Sequence, residues 1–361
     1  MPPPSLLPPR GLPRRLLLLL PLLLPLLLLP RASTALLVGG SVVPHGDFAL
    51  VPALLDPASA NYSRALALHV AARASAAALR DARPDVVLLV APHAVALTAA
   101  FAIYESSALL GTAVLGGDLH NASAPQLPFT AAAAGAPVFA SALAANLSAA
   151  PAGLNVSGLL AFGDSVPMPI QWSEVVPMSL LADVLNGTGA GFPQVAVWAQ
   201  PQRRLTCASC MVPELLALGA ALAAFADAAP QRVWVLVSAD LSHVHSAGVN
   251  PYPPNDAVAA RFDAAVGAWA AALDRDALVV TAAGLADEAL SCGFTGLVLL
   301  EGALRAARAA PFTPSLMAGP SAPTYYGMMV AVFAEASGAA PAAAAAAEAA
   351  APRGLLRGAE R

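Results

Sequence analysis

The chain has 361 residues, of which 58% are hydrophobic and 11% are charged, and its formal net charge is -4. Its 18 basic residues are scattered and form no basic stripe, so we expect no nucleic-acid partner. The length suits one large domain or two ordinary ones, and the sequence contains no tandem repeat.

Residues 1–35 have the layout of a secretory signal peptide. Three arginines between positions 10 and 15 precede an almost pure leucine core at 16–29, and small residues at 33–35 provide a cleavage position. The core is shorter than the roughly 20 apolar residues of a membrane span, so we expect no span in the mature chain. The alternatives are an uncleaved membrane anchor and an organelle transit peptide. The chain also contains Asn-x-Ser/Thr sequons, which are typical of a secreted glycoprotein. They lie at Asn61, Asn121, Asn146, Asn155 and Asn186.

Short apolar runs alternate with longer helical patterns between residues 36 and 334. We interpret as buried strands the runs at 36–38 with 41–43, 86–90, 195–198, 233–237 and 278–280. Helical patterns lie at Tyr62–Arg80 and from Asp256 onward, where Asn255 provides a cap. The alternation predicts an α/β fold, in the form of a three-layer sandwich with a central, mostly parallel, mixed sheet flanked by helices.

The domain organisation follows from the same pattern. We find no convincing linker within residues 36–334, so we predict one domain there, catalytic or metal-binding. Residues 335–361 are rich in alanine and contain too few large apolar side chains to build a core, so we expect a flexible tail.

Three cysteines are too few for a disulfide framework. Cys207 and Cys210 have CxxC spacing, which allows a redox pair, a metal site or a local disulfide. The sequence contains no second CxxC, so we do not expect a zinc knuckle.

Polar side chains follow three of the predicted strands. His45 stands in "VVPHGDF", His93 in "LLVAPHAV", and Asp240 and His243 in "VSADLSHVH". In an open α/β sheet ligands bind beyond the carboxyl ends of the strands, so these side chains should converge. We interpret the remaining histidines as ordinary core or surface side chains, namely His69, His120 and His245.

Two imidazoles and one anionic ligand suit non-haem Fe(II) and leave positions open for substrate and dioxygen. Zinc or another divalent ion also fits such ligands. The segment "LADEALSCGFTGLVLLEGAL" offers Glu288, Cys292 and Glu301 as the third ligand. A thiol at the start of a helix ionises more readily, but Cys292 also suits the core as a small buried filler.

The order of these motifs resembles that of the LigB-type class III extradiol ring-cleavage dioxygenases and the related Memo-type proteins. The resemblance covers most of residues 36–334. It is carried by the two Pro-His corners, "SADLSH" after "RVWVLV", "NPYPPNDAVAARFD", Cys292-Gly293 before the last helix, and "YYGMMVAVF" as a closing strand.

The resemblance implies a mononuclear Fe(II) site with His45 and His93 as the first two ligands. The third ligand is a glutamate in the dioxygenase branch, whereas the Memo-type branch has Cys-Gly there, as at Cys292. His243 matches a histidine beside the metal that hydrogen-bonds an oxygen atom. By analogy, Asp240 orients that loop.

One position departs from both branches. Trp172 stands where they carry a histidine that serves the dioxygenases as an acid or base during ring opening. An indole cannot transfer a proton at neutral pH. Glu174 or Asp164, which lie near Trp172 in "AFGDSVPMPIQWSEVVP", would have to substitute.

The expected function is an Fe(II)-dependent extradiol-type dioxygenase that cleaves a small aromatic diol with O2. The alternative is a Memo-like metal-binding protein without ring cleavage, acting as an interaction module, which Trp172 and Cys292 favour. A hydrolase at the same strand ends lacks support, because the sequence has no Gly-x-Ser-x-Gly elbow. A secretory location is in tension with Fe(II) and a free thiolate, which fare poorly in an oxidising lumen.

Overall fold

The structure is a computed structural model that describes residues 36–116, 126–149, 154–163, 166–185, 191–204, 207–309 and 311–335. The predicted signal peptide and the alanine-rich tail beyond Glu335 lie outside the described residues. So do His120, Asp164 and the sequons at Asn121 and Asn186.

The strands of the described residues form a large sheet and a small one. The strands are β1 (Leu37–Val43), β2 (Val86–Ala91), β3 (Phe101–Tyr104), β4 (Ala108–Leu115), β5 (Leu127–Ala134), β6 (Val156–Leu159), β7 (Met168–Ile170), β8 (Gln194–Ala199), β9 (Val233–Ser238), β10 (Phe312–Ser321) and β11 (Met328–Glu335). The large sheet has eight strands in the order β10–β11–β1–β9–β2–β8–β3–β6.

The large sheet is mixed, as predicted. Its centre, β1–β9–β2–β8, is parallel throughout, whereas β11 runs antiparallel to β1 and β3 antiparallel to β8. The four central strands therefore reach their carboxyl ends at one edge of the sheet. That edge is where the predicted site should lie.

The central strands are apolar on both faces because both faces are covered. Along β2, Val86 and Leu88 belong to one buried cluster and Val87 and Leu89 to another. Successive side chains of a strand point to opposite faces, so the two clusters lie on opposite faces of the sheet. Such strands read as continuous hydrophobic runs, which is why the sequence identified β2, β8 and β9 directly.

The helices connect the strands. They are α1 (Asp47–Leu50), α2 (Ala60–Ala82), α3 (Pro137–Ala149), α4 (Trp172–Leu185), α5 (Val212–Ala228), α6 (Asp256–Ala272), α7 (Ala286–Ala289) and α8 (Phe294–Ala306). The predicted helices at Tyr62–Arg80 and after Asn255 are confirmed as α2 and α6. The Asn255 side chain accepts a hydrogen bond from the backbone N–H of Val258 at 3.3 Å, which caps α6.

One helical segment of the described chain, Ser209–Ala228, is long and apolar enough to cross a membrane. Within this structure it packs against α8, where Gly219 and Gly302 allow the two backbones to approach closely. Its leucines at 215, 218 and 222 belong to a buried cluster. The same length and composition occur in core helices of soluble proteins and are weak evidence for a span.

The small sheet, in the order β5–β4–β7, was not predicted. Alanine makes up half of β5, and β7 has three residues, so neither strand provides the run of β-branched and aromatic residues that identifies a strand. Gly111 on β4 has no room for a side chain, because a Cβ there would lie 1.9 Å from the carbonyl oxygen of Ile170 on β7. The helix α4 begins two residues after Ile170, at Trp172.

The predicted strand at residues 278–280 is wrong. The run lies in a π-helical segment, Ala277–Ala282, that packs against α6. Leu278 is fully buried while Val280 is 63% exposed. A three-residue apolar run carries no periodicity, so it cannot distinguish a strand from a helical turn.

Candidate metal centre

The carboxyl edge of the large sheet brings five predicted side chains together. His45 follows β1, His93 follows β2, and Asp240 and His243 follow β9, while Cys292 precedes α8. Potential ligand atoms form two overlapping groups, each within 4.8 Å, and Cys292 belongs to both. The first group is His45, His93 and Cys292, and the second is Asp240, His243 and Cys292.

His45 is held in one tautomer by a short hydrogen-bond chain. The Ser238 hydroxyl donates to the carbonyl oxygen of Ser173 at 2.5 Å, so its oxygen is free to accept from Nδ1–H of His45 at 2.9 Å. The proton therefore resides on Nδ1, and Nε2 keeps its lone pair. Nε2 faces the Cys292 sulfur at 3.5 Å. An imidazole oriented in this way is prepared to bind a metal.

The two carboxyl oxygens of Asp240 have different partners: one contacts backbone N–H groups and the other faces the His45 ring. Oδ1 accepts from the backbone N–H groups of His45 and Gly46 at 3.2 and 3.3 Å. Oδ2 lies 3.4 Å from Nε2 of His45. Burial raises the pKa of Asp240 to about 8 and lowers the pKa of His45 well below its usual value. In the metal-free chain this contact is therefore between two largely neutral groups at pH 7, not an ion pair.

Burial keeps every potential ligand neutral. It raises the pKa of Cys292 well above its usual value and lowers the pKa of His93 to about 4. Neutral imidazole nitrogens bind metal directly, and a divalent cation would supply the positive charge that the buried thiol and carboxylate need to ionise. The donor set of nitrogen, sulfur and oxygen therefore fits a divalent metal.

His93 has an amide on one side and an indole on the other. The Gln202 side chain lies 3.1 Å from Nδ1 of His93 and donates to the carbonyl oxygen of Pro92 at 3.3 Å. The ring of His93 lies 5.0 Å from that of His45, with the planes nearly perpendicular. The Trp172 ring lies 4.7 Å away on another side and is 43% exposed. Trp172 thus covers His93 at the surface of the site.

His243 presents a free nitrogen. Its Nδ1–H donates to the carbonyl oxygen of Leu241 at 3.1 Å, which leaves the lone pair on Nε2. Burial lowers the pKa of His243 to about 4, so the ring is neutral at pH 7 and the Nε2 lone pair is not protonated. Tyr326 lies beside it, with ring centroids 5.7 Å apart.

The predicted carboxylates have different surroundings. Glu174 is buried, and its Oε2 accepts from the backbone N–H of Gln171 and the hydroxyl of Ser173 at 3.2 and 2.8 Å. These bonds provide an acceptor for polar donors at the start of α4. In the described part of the chain, the Glu174 side chain bonds Gln171 and Ser173 and makes no hydrogen bond to the site histidines. Burial raises the pKa of Glu174.

Neither glutamate that was considered as a third metal ligand belongs to the two ligand groups. Glu288 is exposed on α7. Glu301 is fully buried, but its oxygens accept from Trp269 at 2.8 Å and from Arg305 at 2.5 Å. Of these three candidates for the third ligand, Cys292 is the one that the fold brings to His45 and His93.

His245 is not an ordinary surface side chain, contrary to the prediction. Its side chain is 17% exposed, and Nε2 lies 2.8 Å from Oδ2 of Asp263. The other oxygen of Asp263 accepts from the backbone N–H of Ser242 at 3.0 Å. His245 and Asp263 thus hold the loop that carries His243. His69, by contrast, makes a local hydrogen bond to the carbonyl oxygen of Ala49, as expected.

Three residues of the site were missed in the sequence. Ser238 is the last residue of β9, and its position directly before "ADLSH" was the available signal. Gln202 lies three residues after the end of β8, and its position beyond that central strand was the available signal. Tyr326 packs over Gly46, where a Cβ would lie 2.3 Å from the tyrosine ring.

The structure resolves the alternatives for the CxxC pair. Cys207 and Cys210 form a disulfide, so their sulfurs are not available to a metal in this state. In the described chain Cys292 is the free cysteine, and it is buried.

Comparisons with known proteins assign no activity to the chain. No family model matches it, and no curated protein matches it. Among solved structures it is similar to one titled "Crystal structure of uncharacterized protein JW3007 from Escherichia coli K12", with 14% sequence identity and a TM-score of 0.42. That similarity covers 82% of this chain and 99% of the other.

The buried carboxyl of Asp240 should limit the stability of the metal-free chain at alkaline pH. Its folded pKa of about 8 lies above its usual value of 3.8, so folding favours the protonated form. That contribution is complete below the unfolded pKa and is lost as pH rises toward 8. Between pH 6.5 and 8 the unfolding free energy should fall by up to about 1.4 kcal/mol per pH unit from this group.

The measurement is denaturant unfolding with a chelator present, at several pH values from 6.5 to 8. In Asp240→Asn the alkaline decline should be shallower, because an amide keeps the acceptor oxygen but does not ionise. If the unfolding free energy of wild type and of Asp240→Asn fell equally with pH, Asp240 would not be the group responsible.

Proposed function

We propose that His45, His93 and Cys292 hold one divalent metal ion, with Fe(II) as first choice and zinc as the alternative. We further propose that the chain is an extradiol-type dioxygenase of the LigB-like superfamily, with the three-layer sandwich of that group, and opens a small aromatic diol with O2. The observation that carries the proposal is the chain from His45 through Ser238 to the Ser173 carbonyl. It leaves the Nε2 lone pair facing Cys292.

The supporting residues have separate tasks in this proposal. Ser238 fixes the tautomer of His45, and Asp240 fixes the backbone of the same Pro-His corner through Oδ1. The buried Cys292 thiol and His45 imidazole exclude bulk water from their side of the site, whereas His93 is partly exposed. The bound metal would supply Lewis acidity toward the two diol oxygens and the capacity to activate dioxygen.

His243 is the proton carrier in this proposal. A diol must lose a proton as its oxygens bind, and Nε2 of His243 is a neutral acceptor that already faces the group of Asp240 and Cys292. Tyr326 and Trp172 provide aromatic walls beside His243 and His93. A planar ring suits such walls, because aromatic rings stack or pack edge to face.

A Memo-like metal-binding protein without ring cleavage is the second candidate. Trp172 favours it, since the indole packs on His93 and supplies no proton carrier. Glu174 does not replace the missing histidine in this geometry, because its hydrogen bonds serve the start of α4. In this case the chain would bind the metal and act as an interaction module.

The test is to purify the chain without oxygen, load it with iron, and measure oxygen uptake with a panel of catechols. Ring opening should consume one O2 per diol and give a product with both oxygen atoms incorporated. Iron binding without uptake for any diol would replace the dioxygenase with the metal-binding candidate. Failure to bind either iron or zinc would remove both candidates.

We also propose a secretory or extracellular location, on the basis of residues 1–35 and the sequons. In the described chain Asn146 and Asn155 have exposed side chains and Asn61 is partly exposed. Exposure is a condition for glycan attachment. Mass shifts after glycosidase treatment test this location separately from the activity.

A further inference from the structure

The Cys207–Cys210 disulfide is a feature that the proposed function leaves unused. It lies in the connection between β8 and α5. The turn it closes is held against α7 through Asp287. The two oxygens of Asp287 accept from the backbone N–H of Ala208 at 2.7 Å and from the hydroxyl of Ser209 at 2.8 Å.

The helix that carries Asp287 is directly connected to the metal centre. The carbonyl oxygen of Ala289 on α7 accepts from the backbone N–H of His243 at 2.8 Å. Cys292 follows three residues later, and the N–H of Gly293 donates to the carbonyl oxygen of Asp240 at 3.1 Å. A shift of this four-residue helix would therefore move Cys292 and the His243 loop.

A second connection runs toward His93. Arg204 and Cys207 exchange backbone hydrogen bonds of 3.3 and 3.1 Å, which tie the disulfide to the segment after β8. Two residues before Arg204, Gln202 contacts Nδ1 of His93. The disulfide turn thus lies between the supports of two proposed metal ligands.

We propose that Cys207 and Cys210 form a reversible redox site whose reduction by a dithiol loosens the metal centre. This inference rests on the metal site of the proposed function. Cys210 is exposed and Cys207 is partly buried, so an external thiolate has access to the Cys210 sulfur. The Cys207 sulfur accepts from the backbone N–H of Cys210 at 3.1 Å, which stabilises it as the departing thiolate.

The exchange is balanced by the dithiol. Its first thiolate attacks the Cys210 sulfur, the bond between the two protein sulfurs breaks, and Cys207 leaves as a thiolate. The second thiol of the reductant then attacks the external sulfur of the mixed disulfide and releases Cys210. The dithiol loses two electrons and becomes a disulfide, and the protein gains two thiols.

The chain contains three cysteines, which permits a direct test. In the oxidised wild type and in the Cys207→Ser/Cys210→Ser variant alike, Cys292 is the free thiol. Its rate of alkylation by N-ethylmaleimide, followed by mass spectrometry on the metal-free full chain, reports how often the site opens. We expect alkylation at least about tenfold faster in the double variant. Equal rates would overturn the proposal.

Asp287→Asn tests the connection without removing the disulfide. It should also accelerate alkylation of Cys292, since it weakens the hold on Ala208 and Ser209. Asp85→Asn is the matched control. Asp85 directly precedes β2, at the end of the sheet away from the site, and its carboxylate accepts from the backbone N–H of Arg232. Asp85→Asn should leave the rate unchanged, and an equal acceleration would indicate general destabilisation and overturn the proposal.

A measurement of Co(II) affinity distinguishes failure of the redox proposal from failure of the proposed metal site. Oxidised and dithiothreitol-reduced wild type, desalted without oxygen, are titrated with Co(II). Reduction should raise the thiol count from one to three and weaken the site about 10–100-fold, as loss of supporting contacts does. A disulfide that resists native reduction would overturn the redox site. No Co(II) binding in either state, with alkylation rates that still differ, would overturn the metal site alone.

Discussion

Replacing His45 with alanine should remove the bound metal while leaving the chain folded. The affinity should fall by more than about 100-fold, because even the loss of a residue that only supports a ligand costs 10–100-fold. His45 is 2% exposed and contacts Cys292, Asp240 and Ser238, so no water-exposed group can take its place. Metal content after anaerobic loading measures the effect, and the circular dichroism spectrum checks the fold.

Two further variants make this result specific. Ser238→Ala keeps the imidazole but releases its tautomer, so it should weaken binding by about 10–100-fold and fall between wild type and His45→Ala. His69→Ala is the matched control, since its ring bonds the Ala49 carbonyl and belongs to neither ligand group. Wild-type metal content in His45→Ala would refute the proposed centre.

Replacing His243 with glutamine should abolish most turnover without loss of the metal. We expect a decrease of roughly 10²–10⁴-fold in the rate of oxygen uptake, the usual contribution of a positioned general base. Glutamine preserves size and polarity but has no basic nitrogen that can take up a proton. Because the pKa of His243 is about 4, the wild-type rate should change little between pH 6 and 8 on its account.

Glu174→Gln and Trp172→His distinguish the possible proton carriers. Glu174→Gln should have a smaller effect than His243→Gln, since the Glu174 carboxylate serves the backbone of α4. A large loss in Glu174→Gln with full rate in His243→Gln would reverse the two roles. Trp172→His places an imidazole beside His93, and turnover gained only in that variant would support the Memo-like candidate.

The sequence predicted the parts of the site that depend on the parallel sheet. His45, His93 and Asp240 each follow a mainly apolar strand, and neighbouring parallel strands end at a common edge. Convergence could therefore be inferred without knowing any side-chain conformation. The same reasoning could not choose among Glu288, Cys292 and Glu301, because their separation depends on how α7 and α8 pack.

The errors have local physical causes. Ser238 has no distinctive signature, since a serine at the end of a strand is common and its role depends on the Ser173 carbonyl of a distant helix. His245 was assigned to the surface because Asp263, its partner, lies on α6 and not beside it in the sequence. The small sheet was missed because half of β5 is alanine and β7 has three residues, which leaves little of the bulky pattern on which strand prediction depends.

The first strand of the described chain, β1, pairs along one side with the last strand, β11. β1 lies between β9 and β11, so that Val43 pairs with Ser238 and Gly39 with Ala334. Pairings so distant in sequence are slow to form, and synthesis proceeds from the amino end. His45 and His93 therefore leave the ribosome well before Cys292, and β11, which pairs with β1 in the sheet, comes later still. If the proposed centre binds a metal, the ions present where folding finishes, and not those present where translation begins, would determine which metal it acquires.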